Sequence, residues 1–403
     1  MQVQNKPVIL LIAEAVTLAH FARIITLAKA LNPALYQVTV ASDSRYINLN
    51  ESIGHAFHPI HSISTAEFTH ALACGKPLYT SKMLVSYVEE ELALFEDTKP
   101  DLVIGDFRLS LAVSAPLCQV PYAAVTNAYW SPYAEIAYPV PDLPMTRILG
   151  IPLAQKLFDM VRPLAFALHA RPLNQARCFF GLPSLGSDLR NIYTWGDYTL
   201  YADSPAVIPI KNFPANHHYL GPVLWSARTA LPEWWDRLPE DKPLIFVTLG
   251  SSGQADLLPV VLTALSALPV TVAVATADKV TLAEVPANTY AAKYLPMDII
   301  TRRAKLVICN GGSLTTYQAL ASGIPVIGLC SNMDQLLNMG VVERLGVGIL
   351  LRAAKVTADS VLAAVNMVLQ NLSYAEAADR ISLVLPQYNA EQRFQAIVAK
   401  MLC

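Results

Sequence analysis

Apolar residues in this chain fall into short unbroken runs, and after each run they recur at helical spacing. Val8–Ala13 is such a run, and the spacing predicts a helix over 20–31 ending near Asn32-Pro33. The same alternation continues with a strand over 37–41, a strand over 102–104, a helix over 109–118 and a strand over 122–126. It resumes with strands over 244–249, 270–275, 306–308 and 326–329. Runs without polar interruption belong to strands covered on both faces, and strands alternating with helices imply a doubly wound parallel sheet. Such sheets take their ligands at the carboxyl ends of the strands. Two stretches break the pattern. One, over 127–144, is a loop rich in aromatics and proline (Tyr129, Trp130, Tyr133, Tyr138, Pro139, Pro141), followed by a helical stretch over 153–180. The other, over 221–243, carries prolines at 222, 232, 239 and 243 and reads as a linker. The chain therefore divides into a domain over 1–220, the linker, a second domain over 244–385, and a terminal segment over 386–403. The last helix carries Phe394, Ile397, Val398 and Met401 on one face.

Length and composition narrow the class. At 403 residues, 54% hydrophobic and 15% charged, the chain can bury two cores and cannot be disordered. A net charge of −2 offers no electrostatic footprint for nucleic acid. Six cysteines without any C-x-x-C spacing read as free thiols in a reducing compartment, so a cytoplasmic location is expected. No apolar run is long enough to span a membrane, which leaves only peripheral membrane contact open. His55, His58 and His61 suggest a metal, but Gly54 and Pro59 oppose a helix that would align them, and no metal or other cofactor is expected.

The chemistry concentrates over 309–339, CNGGSLTTYQALASGIPVIGLCSNMDQLLNM. Asn310-Gly311-Gly312 is a turn, and Ser313 is an expected N-cap for the helix Ser313–Ala321. A glycine turn opening a helix gathers backbone N–H groups and the positive end of the helix dipole at one point, which suits a diphosphate. After the next strand, Asp334 and Gln335 can grip vicinal hydroxyls. Phosphate at one loop and a diol at the next point to a nucleotide sugar.

This stretch resembles the donor-binding signature of the inverting family 1 glycosyltransferases, roughly H-G-G-x-G-T-x-x-E-A-L-x-x-G-x-P followed by D-Q, as in bacterial macrolide and flavonoid glycosyltransferases. Gly311, Gly312, Thr315, Ala319, Leu320, Gly323, Pro325, Asp334 and Gln335 match it. Asn310 stands where the family has a phosphate-binding His, Leu314 where it has Gly or Asn, and Gln318 where it has the Glu that holds the ribose hydroxyls. The resemblance implies a GT-B fold, an α/β architecture of two Rossmann-like domains facing a cleft, with the last helix returning to the first domain. It also implies that His20 is the general base, although the Gly and Pro that flank the family's His are missing here. Asp106, closing Pro100-Asp101-Leu102-Val103-Ile104-Gly105-Asp106, would then support the imidazole. Tyr294, in Tyr294-Leu295-Pro296, resembles the family's W-x-P aromatic that stacks on the base, and Gly250, Ser251 and Ser252 follow a strand closely enough to admit a phosphate or sugar. Tyr129, Trp130 and Tyr133, with the segment over 61–77, are candidates for the acceptor site.

The expectation is a hexosyltransferase, monomer or homodimer, that moves a sugar from a UDP- or dTDP-linked donor to a hydroxyl of a small aromatic or lipophilic acceptor. Gln318 keeps the reach of a Glu without its charge, so dTDP sugars should be accepted about as well as UDP sugars. Two alternatives remain: a catalytically silent partner subunit, and a nucleotide-sugar epimerase of the same fold.

Overall fold

The computed structural model describes residues 6–402 apart from 52, 53, 251, 252, 279, 281 and 283. It contains two compact units, one formed by Met1–Glu135, Pro152–Val223 and Tyr388–Cys403, the other by Ile136–Ile151 and Leu224–Gln387.

The first unit is built on a seven-stranded sheet: β1 (Val8–Ala13), β2 (Gln37–Ser42), β3 (Ala56–Pro59), β4 (Leu102–Asp106), β5 (Tyr122–Thr126), β6 (Tyr198–Tyr201) and β7 (His217–Tyr219). Their order is β3-β2-β1-β4-β5-β6-β7, and every pairing is parallel. The second unit carries β8 (Leu244–Thr248), β9 (Thr271–Ala275), β10 (Thr289–Ala292), β11 (Ala304–Cys309), β12 (Val326–Cys330) and β13 (Gly348–Arg352). Its order is β10-β9-β8-β11-β12-β13, again all parallel. Both sheets are doubly wound, as the alternation predicts. The central strands are apolar throughout because helices cover both faces: Ile9 to Ala13 and Ile245 to Val247 are essentially inaccessible. The strands that the pattern does not reveal, β3, β6, β7, β10 and β13, are short and carry polar or part-exposed positions.

In each sheet the strand order reverses once, between β1 and β4 and between β8 and β11. Chains leaving two adjacent parallel strands toward opposite faces open a crevice at their carboxyl ends. His20 follows β1 and Asp106 ends β4; Gly250 follows β8 and Asn310 follows β11.

Other segments take places the pattern leaves open. The helix before Gly150 belongs to the second unit, and at Gly150 (φ 71°) the helical geometry is interrupted before the long helical stretch that runs to Phe179. In the second unit Arg352 Nη1 donates to Val140 O and to Asp142 Oδ1, both at 2.8 Å, which holds the end of the aromatic loop there. The linker is ordered from Leu224 onward on the second unit, with Trp234 Nε1 donating to Ala291 O at 3.2 Å and Arg303 lying over the Trp235 ring. The terminal helix Ala390–Met401 is part of the first unit: Phe394 is fully buried, Arg393 Nε donates to Tyr219 O at 2.6 Å, and Gln395 Nε2 reaches Ala30 O. Among the described residues no helix is long and apolar enough to cross a membrane.

Because Phe394 anchors this helix in a filled core, Phe394→Ala should destabilise the first unit by about 3–5 kcal/mol. Denaturant unfolding followed by a first-unit probe measures it, and a loss below about 1 kcal/mol would mean that the helix end contributes little to that core.

Candidate active site

In the first unit, β1 and β4 are paired with Ala13 opposite Asp106. The helix Leu18–Ala30 starts a short loop after β1, so its first turn brings His20 over the end of β4. His20 Nδ1 lies 2.7 Å from Asp106 Oδ1. A carboxylate in that contact takes the Nδ1 hydrogen and leaves Nε2 as the basic nitrogen. Asp106 is fully buried. Burial alone would push its carboxyl up, but the charge of Arg23 and then the contact with His20 outweigh it and hold it below the usual carboxylate range. Phe107 comes next with φ 58°, a left-handed conformation that costs a side-chain-bearing residue about 1–2 kcal/mol. The bend sets its ring flat on His20, with centroids 4.9 Å apart and planes within 9°. Phe68 and Tyr193 meet Phe107 edge-on, and Trp130 meets Tyr193 in the same way. Strain of this kind is held where surrounding structure over-determines it, and active sites are its common location.

The aromatic loop fits the expected acceptor wall only in part. Tyr129 is fully buried, so its ring is core and offers no contact surface; Trp130 is 8% exposed. Tyr133 is 43% exposed and stands edge-on to His217. Sequence reasoning missed Phe107 and Arg23, which contact the imidazole, and Tyr193, which packs on Phe107. The residue after the strand-ending Asp was the available signal for Phe107; no local signal marks Tyr193.

Deeper in the same unit lies a buried ionic cluster. Arg108 is fully buried; it donates from Nε to Glu91 Oε1 at 2.6 Å and from Nη1 to Glu14 Oε2 at 3.1 Å, and its guanidinium lies over the Tyr87 ring. Glu91 also accepts from the hydroxyls of Ser110 and Ser114. Glu14, which shares Arg108 and also bonds the Ser62 side chain, is nonetheless pushed up to about 7 by burial. His61, one of the three histidines considered for a metal, contacts Glu90 instead, and among the described residues no three metal-binding side chains converge.

In the second unit the glycine turn is packed from behind. Gly311 has φ 81°, and a Cβ there would meet Met339 Cγ at 2.7 Å and Cys330 Sγ at 2.8 Å, so only glycine fits. Gly250 (φ 64°) faces the Asn310 amide across the switch point, where a Cβ would lie 3.5 Å from Nδ2. Ser251 and Ser252 lie outside the described residues. The helix begins at Ser313 as expected, but its cap is Gly312, which makes no side-chain capping bond. Ser313 is already the first helical residue, because the extended conformation of a cap falls to Gly312 (φ −70°, ψ 145°). The first intrahelical bond recorded is Thr316 N–H to Gly312 O at 3.1 Å, so the N–H groups of Leu314 and Thr315 precede the helical ladder. Asn310 does not simply replace a phosphate-binding His. Its Oδ1 accepts the Gly312 N–H at 3.1 Å, and the Gly311 N–H is turned to Cys309 Sγ at 3.3 Å. Both glycine N–H groups are thus engaged within the turn itself. Cys309 is a buried thiol, pushed up to about 11 by burial.

Gln318 is buried, and its Oε1 has no hydrogen-bond partner among the described residues. Asp334 is half-buried in the first turn of the helix Met333–Arg344. Gln335 differs from expectation: its Oε1 accepts from Ser331 N at 2.8 Å and Ser331 Oγ at 3.1 Å, so only its amide NH₂ is left for a ligand. Tyr294 is 46% exposed, a ring open to stacking. Asn338, which the sequence reading passed over, donates to Gly311 O at 2.8 Å and Thr316 Oγ1 at 3.0 Å and pins the glycine turn to the helix.

Comparison with known proteins agrees with this architecture. The family model for the erythromycin biosynthesis protein CIII-like C-terminal domain matches residues 260–390. Over 374 residues the chain is 49% identical to a PGL/p-HBAD biosynthesis glycosyltransferase of Mycobacterium tuberculosis, covering 93% of this chain and 87% of that one. It is equally similar to a PGL/p-HBAD biosynthesis rhamnosyltransferase of Mycobacterium bovis, covering 93% and 83%. A relative from the same organism named as an inactive PGL/p-HBAD biosynthesis glycosyltransferase is 48% identical over 257 residues, 64% of this chain and 70% of its own. Among solved structures, the spinosyn rhamnosyltransferase SpnG complexed with thymidine diphosphate shares the fold with a TM-score of 0.70 at 18% identity, covering 98% of this chain and 99% of that one.

The Glu14 carboxyl yields a pH test. Its proton is held more tightly folded than unfolded, so between pH 4.5 and about 7 the native state loses stability as pH rises. His217, lowered to about 4 by burial, has the opposite slope but is common to both proteins being compared. The stability of Glu14→Gln relative to the parent should therefore rise from pH 5 to pH 8, by on the order of 1–3 kcal/mol. Denaturant unfolding at the two pH values checks it; a pH-independent difference would mean that Glu14 stays ionised.

Proposed function

The chain belongs to the family 1 glycosyltransferases of GT-B fold, and from that premise we propose that it moves a 6-deoxyhexose, such as rhamnose, from a dTDP-linked donor to a hydroxyl of a small aromatic or lipophilic acceptor, with inversion. The observation that carries the reading is the 2.7 Å contact between His20 Nδ1 and Asp106 Oδ1. It makes His20 Nε2 a base whose conjugate acid is supported by a buried carboxylate.

In this reading His20 Nε2 takes the proton of the acceptor hydroxyl as its oxygen attacks the anomeric carbon. The bond from that carbon to the diphosphate breaks with its electron pair going to the diphosphate oxygen. The proton stays on the imidazole, beside Asp106. On the second unit, the uncapped start of the helix Ser313–Ala321 receives the diphosphate through the N–H groups of its first turn and the helix dipole, and the reading calls for no metal. Asp334 accepts from sugar hydroxyls, the Gln335 amide donates to them, and the open Tyr294 ring stacks on the base. Phe107, Tyr193 and Tyr133 offer aromatic surface to the acceptor.

Three observations support a deoxythymidine donor. Gln318 carries no charge to grip a ribose diol, SpnG is described as complexed with thymidine diphosphate, and a relative at 49% identity is named a rhamnosyltransferase. A silent subunit is the competing reading, since one relative is named inactive. The intact His20–Asp106 pair speaks against it.

His20→Ala should lower turnover by roughly 10²–10⁴-fold with donor affinity almost unchanged, measured as nucleotide diphosphate release with a panel of phenols. Turnover near the parent's would remove His20 from the role of base. In a binding competition, dTDP should match or exceed UDP; a preference for UDP above about a hundredfold, ~2.7 kcal/mol, would mean that the 2′-hydroxyl is firmly held.

A further inference from the structure

Arg23 lies one helical turn beyond His20 and is almost completely buried. Its guanidinium takes both oxygens of Asp106, Nε to Oδ2 at 2.7 Å and Nη2 to Oδ1 at 2.8 Å. Nη1 donates to Asn127 Oδ1 at 2.7 Å, and the Asn127 amide in turn donates to the buried Asp203 at 3.1 Å. Nη2 also lies 3.0 Å from His20 Nδ1. We propose that Arg23 is a positioning residue of the sugar transfer: it fixes the Asp106 carboxylate and opposes protonation of the resting imidazole that Asp106 supports. The proposal rests on the reading of His20 as the base.

A histidine paired with a buried carboxylate alone has two weaknesses. The carboxylate can turn, and its negative charge draws a proton onto the imidazole before any acceptor arrives, which disables the base. The fork of Arg23 answers the first, because two parallel N–H bonds hold the carboxylate plane. Its charge answers the second. Nδ1 cannot donate to Oδ1 and also accept from Nη2. The shorter carboxylate contact assigns the hydrogen to Nδ1, so the approach of Nη2 is electrostatic. A cation at 3.0 Å disfavours a second cation on the ring, and this offsets part of the pull of Asp106. The charged groups recorded against the pair are Arg23 on its own helix and Asp106 on β4, with Asp203 beyond Asn127; Phe107 lays an aromatic ring on the imidazole. Arg23 thereby opposes a proton on the resting imidazole, while Asp106 stays beside the ring when it takes the acceptor proton.

The test uses the full-length enzyme with dTDP-rhamnose and the phenol panel. It reads kcat/KM against pH and, independently of activity, the NMR titration of His20 in histidine-labelled protein. Arg23→Met, which removes the charge, should raise the acidic limb of the profile and the His20 titration together, by about one pH unit. Arg23→Lys, which keeps a charge and loses the fork, should leave the limb near the parent's and lower kcat by about tenfold. A kcat loss in Arg23→Met with limb and titration both unmoved would reduce Arg23 to a structural prop and overturn the proposal. So would Arg23→Lys with full kcat, a result that can be read even if the methionine variant does not fold. His20→Ala separates the two claims. If it keeps turnover, the base reading fails; if it abolishes turnover while Arg23→Met leaves the limb in place, only the role of Arg23 fails.

Discussion

A carboxylate buried at the end of a central strand has to be matched, and most of the first unit's site follows from how Asp106 is matched. Its two oxygens accept from Arg23 Nε and Nη2 and contact His20 Nδ1. Both partners sit on one face of the helix Leu18–Ala30, three residues apart. That helix can present them there only because β1, which launches it, pairs in parallel with β4 and brings Ala13 level with Asp106. Register, helix phase and charge thus have one solution. Phe107, left-handed just after the carboxylate, lays its ring on the imidazole.

The second unit solves the opposite problem. It holds a glycine turn in place while the helix that follows starts without a side-chain cap. Met339 and Cys330 pack behind Gly311, Asn338 ties the carbonyl of that glycine to Thr316, and Asn310 occupies the Gly312 N–H. With the glycines so fixed, the helix starts without a side-chain cap. A capping Ser or Asp side chain would compete for the N–H groups that a diphosphate needs. The glycine turn is therefore rigid for the same reason that the helix end is available.

The two departures from the family signature differ in kind. Asn310 has taken on an internal task, bonding its own turn, so the change from His alters how the loop is held as well as what meets the phosphate. Gln318 has no such task; its side-chain oxygen is buried and without a partner among the described residues.

The local pattern of the sequence was enough to reveal both doubly wound sheets and the helix Ser313–Ala321, because buried parallel strands and glycine turns leave marks within a few residues of themselves; His20 and Asp106 were singled out by the family resemblance. What the sequence could not reveal depends on partners far apart in the chain. Arg23 reads as an ordinary helix cation until Asp106, 83 residues on, arrives beside it. Tyr129 reads as a binding aromatic like Tyr133 until packing buries one and leaves the other open. The end of the aromatic loop reads as part of the first domain until Arg352, 210 residues away, holds Asp142 in the second unit. Gln335 reads as a free amide until Ser331 takes its oxygen. Burial and hydrogen bonding are properties of what surrounds a residue, and only the tertiary structure assembles those surroundings.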